Sequence, residues 1–232
     1  MEDDKKYLRL FFDMDNTLTR SRTPITDEMH TLLGSLPCTI VAVSGQTADA
    51  VIKQLKGLDC YVLGQNGNDA RYGEETLWHN TLTEDEKAAI YDHIASLPRT
   101  WDVPDENDLI EDRGCSISFS LYGHHAPIED KEKFDPDQAK RIGLLTEHPL
   151  NSETIEVKIG GTTTLDYLKK GLHKGYNIAR LCEYKDWNLD TCLYFGDALF
   201  PDGNDETVIG VIDTRAVKNP DDTYEQLTQM FS

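Results

Sequence analysis

Apolar residues come in short runs, each closed by a polar turn, along the first third of the chain and again near its end. Residues 7–12 read as a buried strand that stops at Asp13. Thr26 caps a predicted helix over residues 29–36, with Asp27 and Glu28 at its start and Pro37 ending it. Residues 38–43 predict a second buried strand, closed by Ser44-Gly45-Gln46-Thr47, and Ala48, Val51, Ile52 and Leu55 mark the next helix. Residues 61–64 predict a third strand, followed by the turn pair Asn66-Gly67 and a hairpin, residues 70–72 against 76–78. Strand, turn and helix twice in succession imply a parallel α/β sheet, which binds ligands at the carboxyl ends of its strands.

The pattern changes near Thr81. Residues 83–97 predict an amphipathic helix with Thr83 as cap and Glu84, Asp85 and Glu86 in its first turn. Residues 109–113 and 116–120 alternate like strands with one exposed face, residues 134–145 predict a helix, and 154–159 and 162–168 two more strands. This is an α+β block inserted into the α/β pattern. The expected division is a core of residues 1–80 and 172–232, with an inserted domain of residues 81–171. The α/β pattern then resumes: a helix over 174–183, a buried strand over 191–195, a short final strand or its approach at 208–212, and a closing helix over 224–231.

Acidic residues outnumber basic ones 42 to 23, a formal charge of −19, which argues against nucleic acid and anionic membrane as partners. An anionic ligand would need a local cationic pocket and a metal. The five cysteines are odd in number and form no CxxC, so reduced, mostly buried thiols are expected. Residues 1–6 lack an apolar signal region and no run is long enough to span a bilayer, so a cytoplasmic protein is expected.

Chemistry enters at the end of the first strand. Asp13 and Asp15 stand two residues apart where the apolar run gives way to a polar turn. Alone, Asp-x-Asp-Asn serves equally well as a capping turn. Two carboxylates held together repel unless a cation or proton offsets them, and Mg²⁺ prefers such hard oxygen ligands. A second acidic strand end, Gly196-Asp197 with Gly203-Asn204-Asp205 beyond it, has the same form.

The string Asp13-Met14-Asp15-Asn16-Thr17-Leu18-Thr19 after a hydrophobic strand resembles motif I of the haloacid dehalogenase (HAD) superfamily of phosphotransferases. The resemblance implies a Rossmann-like core with a parallel sheet and an inserted C2B-type cap. It makes Asp13 a nucleophile that forms an aspartyl-phosphate and Asp15 a general acid/base. Ser44, otherwise a helix cap, would donate its hydroxyl to the phosphoryl group. Of Lys169, Lys170 and Lys174, the last, at a helix start, would stand beside the nucleophile. The Mg²⁺ site would comprise Asp13, the Asp15 carbonyl and Asp197, with Asp205 a fourth metal candidate or a residue orienting its neighbours. Asp202 is ambiguous.

Within that superfamily the chain is most similar to the eukaryotic-type phosphomannomutase family. The similarity rests on residues 19–29, 111–123, 159–174 and 195–205, with a weak zone over 48–107. It implies that Arg22 and Arg113 hold substrate phosphate and that Thr164 and Asp166 contact sugar hydroxyls. Two further cap arginines of that family are replaced by His124 and Lys131, substrate-binding candidates that can hold phosphate as point charges but lack the guanidinium fork. Ser-Gly-Gln-Thr also stands where the mutases have Gly-Gly-Ser. The expected activity is therefore a phosphatase acting on a small phosphorylated sugar. A hexose-phosphate mutase is the alternative, and a catalytically silent sugar-phosphate binder a third reading. Because the mutases include cap-mediated dimers, a homodimer is also among the expectations.

Overall fold

The computed structural model describes residues 7–201 and 203–231. The stretch 1–6 and Asp202, both read above, lie outside the described residues. The chain divides into two compact units, Met1–His79 with Gly171–Ser232, and Asn80–Lys170.

In the first unit, β1 (Arg9–Asp13), β2 (Thr39–Val43) and β3 (Tyr61–Gly64) run parallel. Helices α1 (Asp27–Ser35) and α2 (Ala48–Gln54) connect them. The side chain of Thr26 caps α1 by accepting the Met29 N–H, and Thr47 caps α2 by accepting that of Ala50. The predicted hairpin follows as β4 (Asp69–Tyr72) and β5 (Glu75–His79), which extend the sheet antiparallel.

The second unit opens with α3 (Glu84–Ser96), whose start is a complete capping box between Thr83 and Glu86. Strands β6 (Ile110–Asp112) and β7 (Ser116–Ser120) follow, then α4 (Ile128–Phe134), α5 (Ala139–Glu147), β8 (Ile155–Gly160) and β9 (Thr164–Lys169). The single helix expected over 134–145 is instead two. Asp135 precedes Pro136, a position that disfavours helical backbone, and it sits at φ −145°, where α4 ends. The four strands form an antiparallel sheet in the order β6-β7-β9-β8. Ile117, Phe119, Leu165 and Tyr167 pack with Ile90, Ile94 and Leu144 of the helices to make this unit's core.

Back in the first unit, α6 (Lys174–Tyr184) leads to β10 (Cys192–Gly196), β11 (Asp213–Ala216) and α7 (Pro220–Met230). The final strand lies beyond the apolar residues 208–212. Glu206–Val208 form a 3-10 turn, Ile209 and Ile212 share only an isolated bridge, and the polar segment that follows pairs with β10.

The complete sheet has the order β11-β10-β1-β2-β3-β4-β5. Alternation along β1 and β10 sorts side chains between two faces. Leu10, Phe12, Leu193 and Phe195 meet α1, α2 and α7, while Phe11, Cys192 and Tyr194 meet Ile178, Leu181 and Cys182 of α6. The chain proceeds from β1 outward through β2 and β3 and later returns to lay β10 on the other side. The carboxyl ends of β1 and β10 therefore flank the point where the strand order reverses, the usual ligand crevice of such sheets. All five cysteines are free thiols and four are buried. Among the described residues no helix is long and apolar enough to cross a membrane.

Candidate active site

Asp13 closes β1 and is buried. Strand alternation puts it on the same sheet face as Phe11, the face covered by α6. Lys174, the first residue of α6, sends its side chain there. Its Nζ lies 2.5 Å from Asp13 Oδ1 and 2.7 Å from Asp205 Oδ1. Of the three lysines considered from the sequence, Lys174 is thus the one brought to Asp13. Its helix start is capped by His173, whose Nδ1 accepts the Tyr176 N–H.

Asp197 follows β10 directly and is half-buried. Carboxylate oxygens of Asp13, Asp197 and Asp205 all lie within 4.8 Å of one another. Gly196 makes the approach feasible, because a Cβ there would stand 2.4 Å from Asp205 Oδ2. Three carboxylates against one ammonium leave two formal negative charges in a buried place. The carboxyl groups register this strain. Burial pushes Asp13 up to about 7, with Lys174 pulling it back and Asp205 and Asp197 adding to the rise. Burial and then Asp205 raise Asp197. Burial works to lower Lys174, but Asp13 and Asp205 outweigh it and hold the ammonium charged. An all-oxygen, doubly anionic donor set fits a hard divalent cation.

Asp205 is already well supplied with donors. Besides Lys174, it accepts the Tyr194 hydroxyl at 2.6 Å and the Ala198 N–H at 3.2 Å. Asp15, expected at a metal through its backbone carbonyl, keeps its side chain out of the acidic cluster. One oxygen accepts the Arg22 backbone N–H at 2.6 Å and the other the Gln46 side-chain amide at 3.1 Å. Arg22 is exposed and holds a left-handed φ of 55°. Ser44 is buried, and its Oγ accepts the Gln46 N–H. Thr47, not Ser44, caps the helix, which leaves the Ser44 proton to donate.

The turn facing Ser44 is strained. Gln65 and Asn66 both hold positive φ, 50° and 60°, and their N–H groups bond to the carbonyls of Gln46 and Ser44, each at 2.7 Å. Asn177 of α6 anchors the turn by donating to the Asn66 carbonyl, and it packs so close that a Cβ on Gly67 would stand 2.3 Å from its own Cβ.

The remaining sequence candidates belong to the second unit. Glu111, Ser118, Asp166 and Lys158 occupy one register row across its four strands. Asp166 accepts the Ser118 hydroxyl at 2.5 Å, and Thr164 stands two rows along, paired with Ser120. Arg113 directs Nε and one terminal nitrogen at the same Glu111 oxygen, at 3.0 and 2.6 Å. The His124 ring bonds to the Ser118 carbonyl and lies 3.7 Å from Glu111, and Lys131 donates to the His124 carbonyl. Sequence reading missed Arg141. It is buried on Asp135 at 2.7 Å and donates to the carbonyls of Gly160 and Gly161 in the turn between β8 and β9.

A buried carboxylate at a sheet switch point, a buried lysine bonded to it and a second acidic strand end define a class. The chain belongs to the haloacid dehalogenase-like hydrolases, whose family model matches residues 10–209. Among curated proteins it is similar to the phosphomannomutases of Schizosaccharomyces pombe, at 26% identity, and Saccharomyces cerevisiae, at 28%. Each alignment covers 96% of this chain and 94% of the relative. Among solved structures, a HAD-superfamily phosphatase from Bacteroides thetaiotaomicron shares the fold with a TM-score of 0.68 at 13% identity, covering 99% of this chain and 97% of the other.

Proposed function

We propose that the protein is a Mg²⁺-dependent phosphatase that hydrolyses a phosphorylated sugar through an aspartyl-phosphate on Asp13. The observation that carries this reading is Asp13 itself, at the end of β1, bonded to Lys174 and within metal-sharing distance of Asp197. In the first step an Asp13 oxygen attacks phosphorus, the bond from phosphorus to the sugar oxygen breaks, and Asp15 gives that oxygen a proton. In the second, water attacks the aspartyl-phosphate, Asp15 takes a proton from it, and inorganic phosphate leaves as Asp13 is restored. Lys174 holds Asp13 in place and offsets the charge of the arriving phosphate. Ser44 donates to a phosphoryl oxygen, and Arg22 supplies a cation nearby. Asp13, Asp197 and the Asp15 carbonyl would hold Mg²⁺, which would neutralise charge on the phosphoryl oxygens. Asp205, filled by its three donors, fixes Lys174.

Thr164 and Asp166 are assigned to sugar hydroxyls, residues 81–171 to an inserted cap domain, and residues 1–80 and 172–232 to the core domain. The cap's cations favour hydrolysis over mutation. A mutase must clamp both phosphates of a sugar bisphosphate and keep water from the phosphoenzyme. Here Glu111 engages Arg113 and sits beside His124, and Lys131 bonds within its own unit. The mutase reading stands second, on the similarity to phosphomannomutases along nearly the whole chain.

Phosphate release from mannose 1-phosphate and mannose 6-phosphate, with Mg²⁺ and with or without a hexose bisphosphate, separates the two. Hydrolysis without isomerisation is expected. Isomerisation that needs the bisphosphate would establish the mutase, and an Asp13→Asn variant with undiminished Mg²⁺-dependent turnover would remove the nucleophile assignment.

A further inference from the structure

Gln46 links the Asp15 carboxyl to Gln54 through its side-chain amide. The backbone of Gln46 is fixed at both ends: its N–H donates to Ser44 Oγ at 3.1 Å, and its carbonyl accepts the Gln65 N–H at 2.7 Å. Its side-chain amide is fixed as well. Gln54, the buried last residue of α2, meets it in a reciprocal pair. Gln54 Nε2 donates to Gln46 Oε1 at 3.3 Å, and Gln46 Nε2 faces Gln54 Oε1 at 3.5 Å. The Gln46 nitrogen faces Asp15 and its oxygen faces Gln54, so the amide donates to the one and accepts from the other. The second hydrogen on that nitrogen reaches Asp15 Oδ2 at 3.1 Å. Gln54 is held in turn: α2 is capped by Thr47, seated in the core through Ala48 and Val51, and the Gln54 carbonyl accepts the Ile25 N–H.

We infer that Gln46, braced by Gln54, is the positioning residue for proton transfer by Asp15. The Arg22 N–H occupies Oδ1 and the Gln46 amide occupies Oδ2, so one lone pair remains on each oxygen to carry the proton that is given to the sugar oxygen or taken from the attacking water. Two donors from separate parts of the chain fix the plane of the carboxyl group, and proton transfer depends steeply on such placement. The inference rests on the proposed role of Asp15 as general acid.

The test exploits leaving groups that differ in their need for a proton. Nitrophenolate departs from p-nitrophenyl phosphate unprotonated, whereas the phenol of phenyl phosphate requires more help. In Gln46→Leu, kcat/KM for phenyl phosphate is expected to fall by at least about tenfold, within the range general acids supply. For p-nitrophenyl phosphate it should stay within about twofold. Gln54→Leu, which leaves the Gln46 amide present but unbraced, should show the same split in smaller measure. It also serves if Gln46→Leu does not fold. Asp15→Asn separates the two layers of argument. If it shows no split, the role of Asp15 falls and the inference with it. If it shows the split while both glutamine variants lose equally on the two substrates, or lose nothing, Asp15 stands and the positioning role is overturned.

Discussion

Tyr194 and Lys174 donate to the same oxygen of Asp205, at 2.6 and 2.7 Å. The tyrosine is fully buried, and burial together with the surrounding carboxylates holds its hydroxyl protonated, so it acts as a fixed donor. Tyr194→Phe removes one support from a buried anion while preserving the ring packing. Its expected cost is about 1–3 kcal/mol of stability, measured by urea unfolding. An unchanged midpoint would show that Asp205 does not depend on that hydroxyl.

The acidic cluster should make the fold sensitive to divalent cation. Mg²⁺ at about a hundred times its dissociation constant would stabilise the native state by about 2.7 kcal/mol. Thermal melts with Mg²⁺ and with a chelator should differ accordingly. Asp197→Asn should abolish most of that difference while leaving the chelated protein's melting temperature nearly unchanged or raised, because it removes one of three crowded carboxylates. A variant that keeps the full Mg²⁺ shift would take Asp197 out of the site.

Arg141 and Asp135 form an ion pair whose side chains are each 1% exposed. Arg141→Met strands the carboxylate and releases the Gly160–Gly161 carbonyls, an expected loss of about 3–5 kcal/mol. Adding Asp135→Asn should recover part of it, since the asparagine oxygen can still accept the Lys140 N–H that Asp135 now accepts. Equal instability in single and double variants would place the cost in the carbonyl contacts instead.

His125 bonds to Asp108, which raises the imidazole above its ordinary 6.5 and lowers the carboxyl below its ordinary 3.8. The raised imidazole contributes stability that is complete below 6.5 and fades as pH climbs through its folded value. The lowered carboxyl contributes above 3.8 and fades as pH drops through its own. The pair therefore supports the inserted unit chiefly in the mildly acidic range, and weakly, because the imidazole is exposed. A proton NMR titration should find His125 above 6.5 and should see it return toward that value in Asp108→Asn.

The catalytic candidates were legible where apolar runs stop at acids. The ends of β1 and β10 announce Asp13 and Asp197, and Thr26 and Thr83 announce two helix starts. Strand β11 was not legible, because an edge strand of Asp-Thr-Arg-Ala carries no hydrophobic alternation and exists through its pairing with β10. Arg141 was hidden for a related reason: periodicity cannot tell a solvated charge from one buried against a partner. The contact between Gln46 and Gln54 depends on a turn pinned by Gln65 and Asn66 in left-handed backbone, which side-chain patterning does not encode.

Strand β1 takes β2, residues 39–43, on one side and β10, residues 192–196, on the other. A ribosome delivering this chain therefore releases β1 and its first neighbour early, then makes the whole inserted unit before the second neighbour emerges. Through that interval the backbone N–H and C=O groups along the edge of β1 that β10 covers are unpaired and open to pairing with other nascent chains. Nonsense mutations after β3 and before residue 192 should yield aggregates rather than half-active fragments, since the truncated product lacks the strand that closes its middle.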